Sequence, residues 1–326
     1  MLVLHSRNGG SRIVPPEVES IELTPDVVWI DLLMPTPGEI AAVEEASGLT
    51  LPGHAELSEI ETSSRLRTDG DVLCLSAPLV HRAQSHHPGT TPVGFVVAPE
   101  LLVTMRFEPL RAFENFERIA RGSAPEVFVG LLEAIVDRTA DVLEHISAEL
   151  DVLSLRLFRS RTLGGGREGR TRAREAADLQ AVLRRVGAHG DLASKIRDSL
   201  LSLGRIVPYV AATRAGELST SVKTRLETLR YDIASLSDYD THLLAKVQLL
   251  LDASLGLITV QQNEIIKVLA VVSVVGVPPT LIASMYGMNF QYMPELDWAW
   301  GYLWGLGLIA ASVLAPLVWF KWRGWF

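Results

Sequence analysis

The sequence predicts an α/β domain, a helical arm, a long stalk helix and two membrane-spanning helices at the C-terminal end. Two observations support this order. β-rich runs separated by turn residues occupy roughly the first 110 positions, whereas two long uncharged apolar segments lie close to the C-terminus. A positive mean hydropathy combined with 21% charged residues agrees with a polar part joined to a very apolar one.

Residues 1–120 are predicted to form the α/β domain. A helix is expected at 37–47, because Pro37 suits a first helical position and Gly48 suits the residue that ends a helix. The pattern indicates strands but not their order in a sheet. The β-rich runs are Val27–Leu33, Asp71–Val80, Val93–Ala98 and Leu101–Phe107.

Residues 121–217 are predicted to form the helical arm, since the apolar spacing becomes helical between Ala124 and Phe158. The glycine-rich segment 163–169 reads as a turn. It lacks the Gly-Lys-Ser/Thr of a phosphate-binding loop, which argues against a nucleotide site. The arginines between Arg156 and Arg174 are interpreted as a solvated surface, with contact to anionic lipid as the alternative.

Residues 218–267 are predicted to form the stalk helix, which would continue into the first membrane span. No proline occurs between Pro208 and Pro278, and apolar residues recur at spacings of three and four. Asp240 and Ser254 interrupt this stripe. They mark either a hydrated seam between helices or positions where the apolar stripe shifts around the helix. The stripe consists of Leu229, Ile233, Leu236, Leu243, Val247, Leu250 and Leu257.

Two uncharged segments, 268–286 and 298–320, are each long enough to cross a bilayer as a helix. The connection 287–297 contains acidic but no basic residues, and the tail 321–326 carries Lys321 and Arg323 among tryptophans. The protein is expected in the inner membrane of the cell. Because basic residues that flank a span stay on the cytoplasmic side, both termini are expected in the cytoplasm.

Composition excludes some other classes of protein. A formal net charge of −8 argues against a nucleic-acid partner. The N-terminal residues lack the apolar core of a signal peptide. The single cysteine, Cys74, permits no intrachain disulfide, which agrees with a cytosolic soluble part.

One face of the first span and of the residues before it is a candidate pore lining. It alternates mildly polar with small or apolar side chains and carries no charge, which suits an ion that passes with its water attached. The same pattern also fits a plain helix–helix interface, and periodicity alone leaves both readings open. The face comprises Asn263, Ile266, Leu269 (or Ala270), Ser273, Val277, Thr280 and Ser284.

The residues after the first span resemble the signature of the CorA family of magnesium transporters. Tyr286-Gly287-Met288-Asn289-Phe290 is followed by Met293-Pro294-Glu295-Leu296, with a membrane span on each side. Upstream, Gln262-Asn263-Glu264 and Lys267-Val268-Leu269 are also similar to the family, and Trp29-Ile30-Asp31-Leu32 resembles its first strand.

This resemblance implies a funnel-shaped homopentamer in the lipid bilayer, whose stalk helices line the pore. Gly287, Met288 and Asn289 would form the selectivity filter, with Asn289 contacting the hydration shell of the ion. Tyr286 and Glu295 would lie in the outer-mouth loop. Mg²⁺ is the implied cargo, with Co²⁺ or Ni²⁺ as further possibilities, and no other cofactor is expected.

The resemblance further implies a channel that is held closed by Mg²⁺ bound between acidic residues of neighbouring cytoplasmic domains. Asp232, Asp238 and Asp240 are candidates for one side of such a regulatory metal site, although a merely solvated acidic helix face is the commoner explanation. The tail departs from the family's lysine run and keeps only Lys321 and Arg323.

Three rival functions remain. A zinc transporter of the ZntB type shares Gly-Met-Asn, and His81, His86 and His87 are the one soft-ligand group, although a plain hairpin loop explains them better. A membrane sensor or scaffold that conducts nothing would explain the spans but not Asn289. An enzyme is not expected, because no nucleophile–base pair or cofactor loop is found.

Overall fold

The computed structural model describes all residues except 16–20, 60, 62–64, 86, 163–171, 289–293, 295–296 and 325–326, and the side chains of 159–162 and 172–176. The chain divides into two compact units, residues 1–251 and residues 252–326. The first unit contains a seven-stranded sheet and a set of helices. The second contains two long apolar helical segments.

The sheet of the first unit has the order β2-β1-β3-β7-β6-β5-β4. Every neighbouring pair is antiparallel except β3 and β7, which run parallel and place Trp29 opposite Leu102. The strands are β1 (Leu2–Ser6), β2 (Ser11–Val14), β3 (Val27–Leu33), β4 (Leu66–Asp69), β5 (Val72–His81), β6 (Gly89–Val97) and β7 (Leu102–Arg106).

The prediction of an α/β domain is confirmed, and four of these strands match predicted runs. β1, β2 and β4 were not predicted, because strands of four or five residues carry too few alternations to stand out. Asp31 lies on β3, so two short strands precede the segment that resembles the first strand of the family.

Helix α1 spans Pro37–Ser47, as predicted. Thr36 accepts a hydrogen bond from the amide of Glu39, and the Glu39 carboxylate accepts one from the amide of Thr36, so both ends of a capping box are present. Gly48 adopts φ = 67° and its amide donates to the carbonyl of Glu44, which ends the helix in a left-handed conformation that glycine tolerates best.

The remaining helices of the first unit cover the sheet or pack on one another. α4 packs on β3, β6 and β7, and α5 packs on β5. Phe95 of the sheet and Phe128 of α4 meet edge to face, with ring centroids 5.8 Å apart. These helices are α2 (His54–Leu57), α3 (Arg111–Phe116), α4 (Ala124–Thr162) and α5 (Arg172–Thr213).

Helix α6 spans Thr220–Tyr286, close to the predicted continuous helix. Within the first unit it runs parallel to α4, because Arg225 Nε lies 2.8 Å from Glu133 and Lys246 Nζ lies 2.8 Å from Asp151. α5 runs the opposite way. A Cβ atom placed on Gly190 would lie 3.0 Å from Val247, so glycine permits the close approach of α5 and α6.

Helix α7 spans Gly301–Trp322, later at both ends than the predicted segment 298–320. Its start is delayed by a turn, in which the amide of Gly301 donates to the carbonyl of Trp298. Its end includes Lys321, a cation that is favourable in the last turn of a helix because carbonyl groups remain unpaired there.

Candidate functional site

The apolar segments of α6 and α7 are the parts of the chain that could cross a membrane. In the most apolar 18-residue window of each helix, 0% and 6% of the residues are buried. A core helix of a soluble protein would bury most of such a window. These two segments instead present apolar side chains on nearly all sides, which suits surroundings of lipid or other apolar helices.

The predicted lining face of α6 is exposed along its whole length. Leu269 is 65% exposed, Val277 62% and Ile266 61%. Asn263, Ser273, Thr280 and Ser284 are exposed as well, whereas Ala270, the alternative to Leu269, is only half-exposed.

A second set of residues marks the opposite side of α6. With 100° per residue, the seven lining residues fall within an arc of about 120°. Six of the seven half-buried residues of the span are centred almost diametrically opposite, so most of the lining face points away from the side that the chain itself partly covers. These six are Val271, Val275, Pro278, Pro279, Ile282 and Tyr286, and the seventh, Ala270, lies on the lining side.

Pro278 and Pro279 lie inside α6 without ending it. Each lacks an amide proton and so leaves one carbonyl of the preceding turn without its usual partner. The carbonyls concerned are those of Val274 and Val275, whereas the hydroxyl of Thr280 donates to the carbonyl of Gly276 at 2.8 Å. Membrane helices commonly tolerate proline.

The C-terminal end of α6 places Tyr286 as its last residue. The amide of Gly287 donates to the carbonyl of Ala283 at 3.0 Å, and a Cβ atom on Gly287 would lie 3.3 Å from that oxygen. Glycine is therefore favoured by close backbone approach. Met288 is exposed. Asn289 and Glu295 lie outside the described residues.

The three predicted regulatory carboxylates do not share one environment. Asp232 and Asp238 are exposed, whereas Asp240 is 0% exposed and neither of its carboxylate oxygens has a hydrogen-bond partner among the described residues. Asp240 belongs to the first unit, 28 residues before the apolar segment begins at Val268. Burial raises the pKa of Asp240 to about 6, against a smaller lowering by Arg197.

Sequence reasoning missed an acidic neighbour of Asp232. Burial and the charges of Glu133, Asp141 and Asp232 raise the pKa of Asp137 on α4. The spacing of four between Glu133, Asp137 and Asp141 is a sequence signal for one acidic helix face. Among the residues described, no group of three or more His, Cys, Asp or Glu side chains is arranged to hold a metal ion.

The histidines weighed for a soft-metal site do not share one setting. The His81 side chain is 12% exposed and its Nδ1 lies 3.7 Å from a Glu108 carboxylate oxygen. His87 is exposed, and its amide donates to the Ser85 hydroxyl. His86 lies outside the described residues.

A buried polar cluster fixes the parallel strand pair at the centre of the sheet. Arg106 of β7 donates to Asp31 of β3 at 2.8 Å and to Glu117 at 3.0 Å, with side chains of Arg106 and Asp31 2% and 0% exposed. Thr104 donates to Asp31 at 2.6 Å and accepts from the indole of Trp29. The sequence signal was an aspartate within an otherwise apolar strand.

His5 extends this cluster across the sheet. Its ring stacks on Trp29 with centroids 4.1 Å apart, and it is 3% exposed. Burial, opposed by Asp31 and aided by Arg106, lowers the pKa of His5 to about 4. The imidazole is therefore neutral at physiological pH, and the cluster joins β1, β3 and β7 through buried contacts.

An α/β domain, a long helix continuous with an uncharged apolar span, and a second span after a short loop define a two-span integral membrane protein with a large soluble part. The family model of the CorA-like Mg2+ transporter protein matches residues 25–322. The chain belongs to this family, whose members are transporters and not enzymes.

Curated relatives and solved structures agree with the family. The magnesium transport proteins CorA of Yersinia pseudotuberculosis and of Escherichia coli K12 are each 33% identical over 321 residues, which is 97% of both chains. The complete structure of the CorA magnesium transporter from Methanocaldococcus jannaschii matches with a TM-score of 0.74 at 18% identity. That match covers 100% of this chain and 99% of the other.

Proposed function

We propose that this chain is one subunit of an oligomeric channel that admits Mg²⁺ across the cell membrane. The observation that carries the proposal is the family match over residues 25–322, which includes both apolar helices and the segment between them. The curated relatives with 33% identity are magnesium transport proteins, which favours Mg²⁺ over Zn²⁺ as the cargo.

The lining face of α6 is the proposed wall of the pore. Two spans cannot enclose a water path, so several copies are needed, and the family resemblance implies five. The face from Asn263 to Ser284 is uncharged, exposed, and opposite the half-buried side of the helix. Ile266, Leu269 and Val277 are the candidates for apolar constrictions that close the pore by excluding water.

Asn289 is the proposed contact of the ion at the outer mouth. Mg²⁺ prefers octahedral oxygen ligands and loses its water reluctantly. A ring of carboxamide oxygens can accept hydrogen bonds from the water shell without removing it, so binding stays weak enough for release. Gly287 and Met288 would shape the turn that presents this ring, and Tyr286 and Glu295 would flank it. Co²⁺ and Ni²⁺ are possible additional cargoes.

Membrane potential supplies the proposed driving force. A divalent ion that crosses 100 mV, negative inside, gains on the order of 4.6 kcal/mol. With Lys321 and Arg323 after the second span, both termini are placed in the cytoplasm of the proposed topology. Inward flux then needs no nucleotide.

Cytoplasmic Mg²⁺ is the proposed signal that closes the channel. Asp232 and Asp238 are exposed on α6 and so are free to meet carboxylates of another subunit. Asp240 is the weaker candidate of the three, because its carboxylate is fully enclosed within a single chain.

The experiment reconstitutes the full chain in liposomes that contain a Mg²⁺-sensitive dye and imposes an inside-negative potential. Wild-type protein should admit Mg²⁺, and Asn289→Ala should reduce the initial rate at least roughly tenfold, since a lost contact to a charged species costs about 1.5–3 kcal/mol. Asn115→Ala, on the exposed surface of α3, is the matched control and should leave the rate unchanged.

Each other outcome contradicts part of the proposal. Flux of Zn²⁺ without Mg²⁺ would assign the chain to zinc transport. Equal Mg²⁺ flux through wild type and Asn289→Ala would remove Asn289 from the filter. Absence of flux from folded, oligomeric protein at very low internal Mg²⁺ would favour a membrane sensor or scaffold.

A further inference from the structure

A cavity of about 570 Å³ lies within the first unit, far along the chain from both spans. It is bounded by the end of β5 and the loop after it, by the start of α3, and by the middle parts of α4 and α5. Its volume falls in the range of small-molecule binding sites. None of the predicted functional residues except His81 lines it.

Arginines from three separate elements converge on this cavity. Arg82 follows β5, Arg111 begins α3 and Arg138 lies on α4, whereas Glu114 is the one carboxylate among the lining residues. The lining residues carry three cations and one anion, and two further carboxylates, Glu108 and Asp141, lie beside Arg82 and Arg138. Converging arginines are the side chains that bind anionic groups most readily.

Two of these arginines lack a close, buried carboxylate partner and are therefore available to a ligand. Arg111 donates to the neutral side chain of Gln84 at 3.1 Å and forms no ion pair within the described part of the chain. Arg138 reaches Asp141 at a long 3.5 Å, and the Asp141 side chain is 67% exposed, so water weakens that pair. Arg82 differs, because it is held by Glu108 at 3.0 Å.

The backbone beside the cavity is strained. Arg82 adopts φ = 53°, a left-handed conformation that is uncommon for a residue with a long side chain. Next to it, the Nδ1 atom of His81 is buried and makes no hydrogen bond among the described residues, with the Glu108 carboxylate 3.7 Å away. Strained backbone and buried polar atoms without hydrogen bonds concentrate at binding sites, because a bound ligand can supply the missing hydrogen bonds.

The floor of the cavity is aliphatic. It is made of five nearly buried side chains and contains no aromatic ring that a nucleobase could stack on. This surface suits a short hydrocarbon body. The five residues are Leu79, Leu110, Ile135, Val142 and Ile196.

We propose that this cavity binds a small organic anion, with its phosphate or carboxylate group held by Arg111 and Arg138 and its aliphatic body on the floor. Guanidinium groups bind both head groups through paired hydrogen bonds. The site would let the soluble unit respond to a metabolite. It does not depend on the proposed transport of Mg²⁺, since binding is measured separately from flux.

The test titrates the full-length protein in detergent micelles with butyl phosphate, butyrate and inorganic phosphate, by isothermal calorimetry. One of the butyl compounds should bind at least several-fold more tightly than inorganic phosphate. Which one binds identifies the head group. Arg111→Gln and Arg138→Gln should each weaken that binding roughly tenfold or more, the value of a hydrogen bond to a charged group.

Two controls separate the site from general effects. Arg12→Gln removes a charge from the exposed strand β2 and should leave binding unchanged. Val142→Phe would fill the floor and should abolish the advantage of the butyl group. Circular dichroism checks that each variant is folded. Lack of binding by every probe at millimolar concentration, or binding that neither arginine variant weakens, would overturn the proposal.

Discussion

The two units differ in the exposure of their apolar side chains, which are mostly buried in residues 1–251 and mostly exposed in residues 252–326. In the first unit Trp29 and Phe95 are 0% exposed, whereas in the second Leu269 is 65% exposed and Trp322 86%. Burial of apolar surface stabilises a fold in water by about 25 cal/mol per Å². The first unit obtains this stabilisation from its own core, and the second must obtain it from lipid or from other copies of the chain.

The largest expected effect concerns the core of the first unit. Asp31→Ala should lower the free energy of unfolding by about 4 kcal/mol, because it leaves the Arg106 charge buried without its main partner. The measurement is chemical denaturation of the detergent-solubilised protein, followed by tryptophan fluorescence.

The matched control for this change is an exposed ion pair. The Asp151 side chain is 65% exposed and pairs with Lys246. Asp151→Ala should therefore lower the free energy of unfolding by less than about 1 kcal/mol. Equal costs for the two variants would show that the buried pair is not what fixes β3 against β7.

A pair of leucines tests the contrast between the units directly. Leu203, in α5, is 0% exposed, and Leu203→Ala should cost about 3 kcal/mol because it leaves a cavity. Leu314, in α7, is 59% exposed, and Leu314→Ala should cost less than about 1 kcal/mol because lipid or detergent fills the space. Denaturation midpoints of the two variants compare them. A similar loss for both would mean that Leu314 packs against another chain.

The smallest expected effect is a pH dependence from His5. Because the pKa of His5 is lowered from 6.5 to about 4 in the folded chain, the unfolded chain binds more protons between these values. Stability is therefore present above pH 6.5 and falls as the pH drops toward 4. Between pH 7 and pH 5 the loss should be about 2 kcal/mol.

His5→Phe is the variant that isolates this term. Phenylalanine keeps a ring against Trp29 and does not titrate. Denaturation curves at several pH values should show a flatter acid limb for the variant than for wild type. Parallel acid limbs would mean that His5 is solvated or already paired when charged.

Sequence reasoning identified the elements whose signals are local. The helix 37–47 follows from Pro37 and Gly48, and the long α6 from a proline-free periodic stretch. The two apolar spans follow from length and the absence of charge. The filter residue Asn289 lies outside the described residues, so its role stays a prediction.

Long-range pairing was not accessible from local patterns. Asp31 stands out in sequence only as an aspartate within an apolar strand, and its partner Arg106 resembles a solvated charge. Only the parallel pairing of β3 with β7 joins them. The burial of Asp240 depends on neighbouring helices in the same way. The convergence of Arg82, Arg111 and Arg138 likewise needs three elements that are distant in the chain.

The parallel pairing of β3 with β7 also sets an order of events during synthesis. β3 can pair with β7 only after Leu102 has been synthesised, 73 positions after its partner Trp29. β5 and β6 are neighbours in the chain and can pair at once. At about 5–20 residues per second, the ribosome takes roughly 4 to 15 seconds to supply the missing strand. For that time β3 presents an unpaired edge that other nascent chains could occupy. A translational pause between residues 33 and 102 would lengthen this exposure, so codon usage in that stretch bears on the yield of folded protein.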